Sequence, residues 1–121
     1  AYDFQTKLVG EKTLYEEVLK TSRSYKNSQN LMYVVGATKA SYLADIRKII
    51  PDSFLLVPGV GAQGGSLEEV CKYGMNRDVG ILVNSSRGII YASSGNNFET
   101  IAAEKASELR DKMALELKKR A

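Results

Sequence analysis

Residues 58–66 carry Pro58, Gly59, Gly61, Gln63, Gly64, Gly65 and Ser66. The apolar run Phe54, Leu55, Leu56, Val57 precedes them and reads as a buried strand, while Ser66 and Glu69 form a capping-box pattern that opens a helix. The glycines therefore fall between a strand end and a helix start. Backbone N–H groups lack partners there and the helix dipole is positive, which suits an anion such as phosphate. Glycine also lets a ligand approach the backbone closely. A flexible βα loop is the plainer reading, but a Gln and a helix cap at the same junction favour a phosphate site.

A second group, Ser85, Ser86, Arg87 and Gly88, follows the apolar run Ile81, Leu82, Val83. Arginine presents a fixed fork of donors that matches phosphate oxygens in pairs. Alone it would read as a surface residue of a polar turn. Beside the glycine loop of an adjacent strand it reads as the second half of an anion grip, with Gly88 permitting close approach. Gln63 has donor and acceptor atoms and can bridge the phosphate to a polar ring or sugar, or else tie down its own loop. Thr38 reads more as a helix cap than as a ligand contact.

The chain of 121 residues has no histidine, which excludes Ser-His-Asp triads, Cys-His pairs and His-based zinc sites. No pair of carboxylates, and no Lys beside an Asp at a strand end, stands out for acid–base work. Cys71, the one cysteine, lies beside Val70 on an apolar helix face and reads as a buried, inert thiol, in keeping with a reducing cytoplasm. No leader and no membrane-spanning run is expected. The net charge of +3 is modest, and Lys118, Lys119 and Arg120 read as a solvated helix end, so nucleic acid is not an expected partner.

The elements that must hold these loops alternate. A helix is expected from the capping box of Thr13 and Glu16 to about Tyr25, with Leu14, Val18, Leu19 and Ser22 on one face. A strand follows at Leu31, Met32, Tyr33, Val34 and Val35, then a helix capped by Thr38, with Leu43, Ile46 and Ile50 inward and Pro51 as its stop. The second strand leads through the glycine loop to a short helix with Leu67, Val70 and Cys71 inward, and the third occupies 79–83. Asn96 and Glu99 form the capping pattern of a last helix. Its stripe of Ala102, Ala106, Leu109, Met113 and Leu117 reads as core. Such alternation means βαβ units, a parallel sheet and a single domain over 1–121, with polar residues and glycines at the strands' carboxyl ends. Three strands are far short of the eight of a closed (β/α)8 barrel of about 250 residues. The strands nevertheless read as buried on both faces. A missing half, a second copy, or helices on both faces of a doubly wound sheet would each cover them.

The stretch Leu56, Val57, Pro58, Gly59, Val60, Gly61, Ala62, Gln63, Gly64, Gly65, followed by Gly80, Ile81, Leu82, Val83, Asn84, Ser85, Ser86, Arg87, Gly88, Ile89, Ile90, Tyr91, Ala92, resembles the C-terminal half of the orotidine 5'-phosphate decarboxylase family, in its bacterial longer-chain subgroup. Val34 to Thr38, Ile46 with Arg47, Leu14 to Glu16 and Asp3 to Gln5 share the resemblance, which runs nearly end to end. It implies an α/β fold, the C-terminal half of a (β/α)8 TIM barrel with three parallel strands and flanking helices. The implied enzyme is a cytoplasmic homodimer in pyrimidine biosynthesis. It converts orotidine 5'-phosphate to uridine 5'-phosphate and CO2 without metal or organic cofactor. Arg87 and the backbone of Ser86 and Gly88 would hold the phosphate, and Gln63 would reach between phosphate and pyrimidine. Gly59, Gly61, Gly64 and Gly65 would belong to a closing loop, with Thr38 and Pro58 at the pocket wall. The family's Asp-x-Lys-x-x-Asp motif, whose Lys delivers the proton to the ring carbon, does not occur in this sequence. The chain would then supply a binding half, inactive alone, to a missing N-terminal half. The alternative is a free-standing half-barrel that binds a nucleotide or sugar phosphate without turnover. A third is a doubly wound domain with an unrelated anion site.

Overall fold

The computed structural model describes residues 2–61 and 66–120. A short helix α1 (Tyr2–Gln5) and a two-stranded antiparallel hairpin, β1 (Leu8–Val9) with β2 (Lys12–Thr13), lead into α2 (Leu14–Arg23). The expected cap is present: Thr13 donates from its backbone N–H (3.4 Å) and its hydroxyl (2.7 Å) to the Glu16 carboxylate. Of the face expected inward, Leu19 is buried, but Val18 is exposed. A single 3-10 turn, Ser28–Asn30, lies within the stretch expected to be a polar loop.

Three parallel strands follow in sequence order across the sheet: β3 (Tyr33–Val34), β4 (Leu55–Pro58) and β5 (Ile81–Asn84). β3 is shorter than the apolar run suggested, because only Tyr33 and Val34 pair in register with Leu55 and Leu56. Between the strands run α3 (Tyr42–Ile49) and α4 (Leu67–Gly74). Helix α3 does not start from Thr38. The chain first makes a turn in which Tyr42 and Leu43 donate to the carbonyls of Lys39 and Ala40, so Ser41 takes the cap position. Ser66 caps α4 as expected, its hydroxyl accepting from the Glu69 N–H at 3.1 Å.

Leu43 and Ile46 from α3, Ile50 just past its end, and Leu67, Val70 and Cys71 from α4 pack on Leu55 and Val57 of the central strand, which makes the core. That core lies on one face of the sheet only. On the other, Met32 and Val34 are each 71% exposed and Leu82 is 57% exposed, so among the described residues no helix covers the second face that the sequence reads as buried. The apolar runs that suggested two-sided burial are present, but only one side has helices against it. Sequential strand order with one open face fits a segment of a barrel wall and not a doubly wound sheet.

After β5 come a one-turn helix α5 (Arg87–Ile90) and the long α6 (Phe98–Arg120). Helix α6 begins two residues after Asn96. Ser93 donates its hydroxyl to Asn97 Oδ1 at 2.8 Å, and Asn97 O accepts from Ile101, so the expected Asn96–Glu99 cap is not the one used. Leu109 and Met113 pack on the core, whereas Ala106 and Leu117 are exposed.

The amino end of the sheet is tied by one side chain. The half-buried Arg47 guanidinium donates to the carbonyls of Gly74 (2.6 Å), Ser53 (2.6 Å), Ile50 (3.1 Å) and Gly80 (3.1 Å). Gly80, at φ +66°, faces Asn76 so closely that a Cβ would sit 2.5 Å from its amide. Asn76 in turn donates to Pro51 O and accepts from Arg120 through its carbonyl.

Candidate functional site

The two loops singled out in the sequence emerge at the same end of neighbouring strands. Pro58 at the end of β4 pairs in register with Asn84 at the end of β5. Their continuations meet at a cleft of about 640 Å³, lined by Val60, Gly61 and Ser66 from one side and Ser85, Gly88 and Ile89 from the other. Gly59 and Gly61 sit at φ +86° and +85°, left-handed values at which a side chain would be strained, so the turn after β4 needs glycine at both positions. Gln63, Gly64 and Gly65 lie outside the described residues.

Ser86 precedes α5, and its carbonyl accepts from Ile89 (3.1 Å) and Ile90 (2.8 Å). This first turn leaves the N–H groups of Arg87 and Gly88 without intrahelical partners. A Cβ on Gly88 would sit 3.2 Å from the Ser85 hydroxyl, so backbone lies close over that side chain. Arg87 is exposed; its carbonyl accepts from the Tyr91 N–H (3.2 Å), and its guanidinium has five donors with which to meet an anion.

Thr38 stands apart from this cleft. It is exposed beyond β3 and lines a separate groove of about 690 Å³ beside that strand, with Val34, Gly36 and Tyr42. Pro58 is half-buried at the strand end, between the two regions. The structure therefore brings Gly61 together with Gly88 and leaves Thr38 with a different set of neighbours.

The far wall of the glycine cleft was not foreseen. Helix α6 contributes Lys105, Lys112 and Lys119. Two of these are paired within the helix, Lys105 with Glu108 at 3.2 Å and Lys119 with Glu116 at 2.8 Å. The hydrogen bond that Lys119 donates to the Glu116 carboxylate holds its ammonium above its ordinary pKa. The signal was present in the sequence as lysines seven residues apart, two helical turns, along a helix read chiefly for its apolar stripe. Among the described residues no group of three or more His, Cys, Asp or Glu could hold a metal ion, and no helix is long and apolar enough to cross a membrane.

No protein-family model matches the chain. Similar proteins are found at high identity. The chain is 66% identical over 119 residues to the orotidine 5'-phosphate decarboxylase of Christiangramia forsetii, a match covering 98% of this chain and 44% of that protein. It is 55% identical over 119 residues to the enzyme of the same name from Bacteroides fragilis, covering 98% of this chain and 43% of that protein. Among solved structures, Leishmania donovani OMP decarboxylase superposes with a TM-score of 0.70 at 33% identity, over 91% of this chain and 42% of that one. Leishmania donovani UMP synthase gives 0.72 at 36% identity, over 90% of this chain and 24% of that one. The chain thus spans less than half the length of the relatives it matches.

Proposed function

We propose that this chain is the phosphate-gripping part of an orotidine 5'-phosphate decarboxylase, working with a further portion that carries the chemical step. Near-complete coverage at 66% identity to a decarboxylase supports the family. The observation that carries the site is the meeting of Gly61 and Ser66 with Ser85 and Gly88 in one cleft, at the carboxyl ends of paired strands.

In this reading Arg87 and the free N–H groups at Arg87 and Gly88 hold the 5'-phosphate of orotidine or uridine monophosphate. Gln63 links the phosphate to the pyrimidine, and the glycine segment 59–65 closes over both. Pro58 and Thr38 border the pocket. A phosphate grip remote from the scissile bond can still raise the rate. Its binding energy is spent on closure and on excluding water around the reacting carbon. This chain lacks the Asp-x-Lys-x-x-Asp pattern, so it supplies no proton donor for the product carbon. The complete enzyme would be a cytoplasmic homodimer. The absence of that motif also favours a second reading, a phosphate-binding half-barrel that never turns over.

Titration of the chain with uridine 5'-phosphate by calorimetry tests the grip. Arg87→Ala should weaken binding by about 1.5–3 kcal/mol, the range for a hydrogen bond to a charged group. Uridine without its phosphate should bind no better to the native chain than to the variant. Equal affinity of the two chains for the nucleotide would sink the assignment. Restored decarboxylation on addition of the remaining portion of a relative separates the enzymatic reading from the purely binding one.

A further inference from the structure

The cleft beside the glycine turn is larger than one phosphate needs. Its volume of about 640 Å³ lies within the range of pockets that hold whole small molecules. Part of that space runs along α6, whose Lys105 and Lys112 share the lining with Gly61 and Gly88. The heights of these lysines follow from the helix. Arg120, at the end of α6, donates to Asn76 O at the amino end of the sheet, so α6 runs from the loop end down to that end. At ~1.5 Å per residue Lys105 stands about 22 Å above Arg120, and Lys112 about 12 Å. The climb along β5 from Gly80 to Ser85 is about 17 Å. The level of the loops therefore falls between the two lysines. Helical side chains lean towards the N-terminus, which tilts Lys112 towards the loops.

The carboxylates of the cleft are Glu68, Glu108 and Glu116. Glu116 pairs with Lys119, and Glu68 lies close enough to Lys119 to favour its charged form, so these two acids belong to the lower end. Glu108 alone offsets Lys105, at 3.2 Å, and among the described residues the Lys112 ammonium has no ion pair. The upper end thus keeps an excess of positive charge beside the glycine turn.

We infer that the cleft takes a nucleoside polyphosphate, with the phosphate next to the ribose in the glycine grip and the following one between Lys105 and Lys112. The inference rests on the reading above that the grip holds a nucleotide's 5'-phosphate. An ammonium group meets a phosphoryl oxygen as a point charge and needs no fixed geometry. Such a ligand occupies the grip itself, so it excludes the monophosphate and inhibits the complete enzyme competitively.

Calorimetric titration of the intact chain with uridine 5'-diphosphate and with uridine 5'-phosphate tests this, at one ionic strength and without divalent cations. The diphosphate should bind at least about tenfold tighter, and the two should compete for one equivalent of sites. In the double variant Lys105→Ala, Lys112→Ala that advantage should fall below about threefold. Lys112→Arg, which keeps the charge, should preserve it. The double variant Arg110→Ala, Lys118→Ala removes the same charge from exposed positions of α6 that do not line the cleft, and should preserve it too. All these positions are exposed on α6, and circular dichroism checks that the helix is intact. The inference is overturned if neither nucleotide binds or if the diphosphate has no advantage. It is also overturned if the two nucleotides bind independently, or if the two double variants act equally, which would make the effect one of overall charge. Failure of the grip shows elsewhere, as monophosphate affinity that Arg87→Ala does not change.

Discussion

At the scale of single residues, Arg47 shows how far one side chain reaches. Its guanidinium joins the end of α3, the turn at Ser53, the end of α4 and the entry to β5. Burial pushes its pKa below the ordinary value, with nearby Asp52 opposing. The charge is retained because the four carbonyls replace its water. Arg47→Ala should cost about 2–3 kcal/mol in a urea melt. Arg47→Lys should recover little, because a point charge cannot span the fork's four acceptors. A loss under about 0.5 kcal/mol, the size of an ordinary surface change, would contradict the staple. The sequence marked Arg47 only through its family resemblance, since a charge on a helix is normally solvated. Glu16 is the opposite case: its cap with Thr13 was legible from spacing alone. The Thr13 hydroxyl bond, as the largest cause, holds the Glu16 carboxyl below its usual pKa. A depressed folded pKa stabilises above the unfolded value, and that stabilisation disappears as pH falls through the folded one. Acid should therefore fray the start of α2, seen as faster amide exchange there. Thr13→Ala should bring the Glu16 titration back towards an ordinary carboxyl.

At the scale of elements, alternation of apolar runs and caps was enough to find the three parallel strands, α3 and α4. Strong periodicity and Ser66 or Pro51 punctuation mark their ends locally. What the pattern could not reveal is which faces have something against them, because burial depends on elements far away in the sequence. Val34 and Leu82 look like core by composition and are open in space. For the same reason α6 looked more buried than it is. It is attached through Leu109 and Met113 and through the bond from Arg120 to Asn76 O. Cys71 reports on that attachment. It is buried on α4, and burial, followed by the nearby Glu116 charge, pushes its thiol pKa up. Both features slow alkylation. The double variant Leu109→Ala, Met113→Ala should loosen α6 and speed Cys71 labelling by about tenfold or more, as about 1.4 kcal/mol of docking energy is lost. An unchanged labelling rate would mean that α6 does not shield the thiol. The site divides in the same way. Its loops were legible because glycine, capping and arginine signals are local. The α6 lysines entered through packing.

At the scale of the whole molecule, a one-sided core limits stability. Leu43, Leu55, Val57 and Val70 are completely buried, but they lie in a single layer between the sheet and α3 with α4. Globular proteins hold about 0.05–0.15 kcal/mol per residue, and a chain with an open sheet face belongs at the low end of that range. Removing buried methyl groups costs about 2–5 kcal/mol for Leu→Ala, more where the surroundings cannot collapse. Leu43 sits where collapse is hardest, against the Gly74 backbone: a Cβ built there would be 3.3 Å from a Leu43 methyl. Leu43→Ala should therefore remove a large share of the folding energy and leave a broad, weakly cooperative urea transition. Gly74→Ala should also destabilise, by overpacking the same contact. If Leu43→Ala costs less than about 1 kcal/mol, the core must extend beyond this layer, and the open face would have to be covered in solution by another copy of the chain. Addition of the remaining portion of a longer relative should raise the stability of native chain and variant together, because ligation of the folded state adds to both. The difference between them should stay constant, since Leu43 is buried within the chain's own core and touches no added surface.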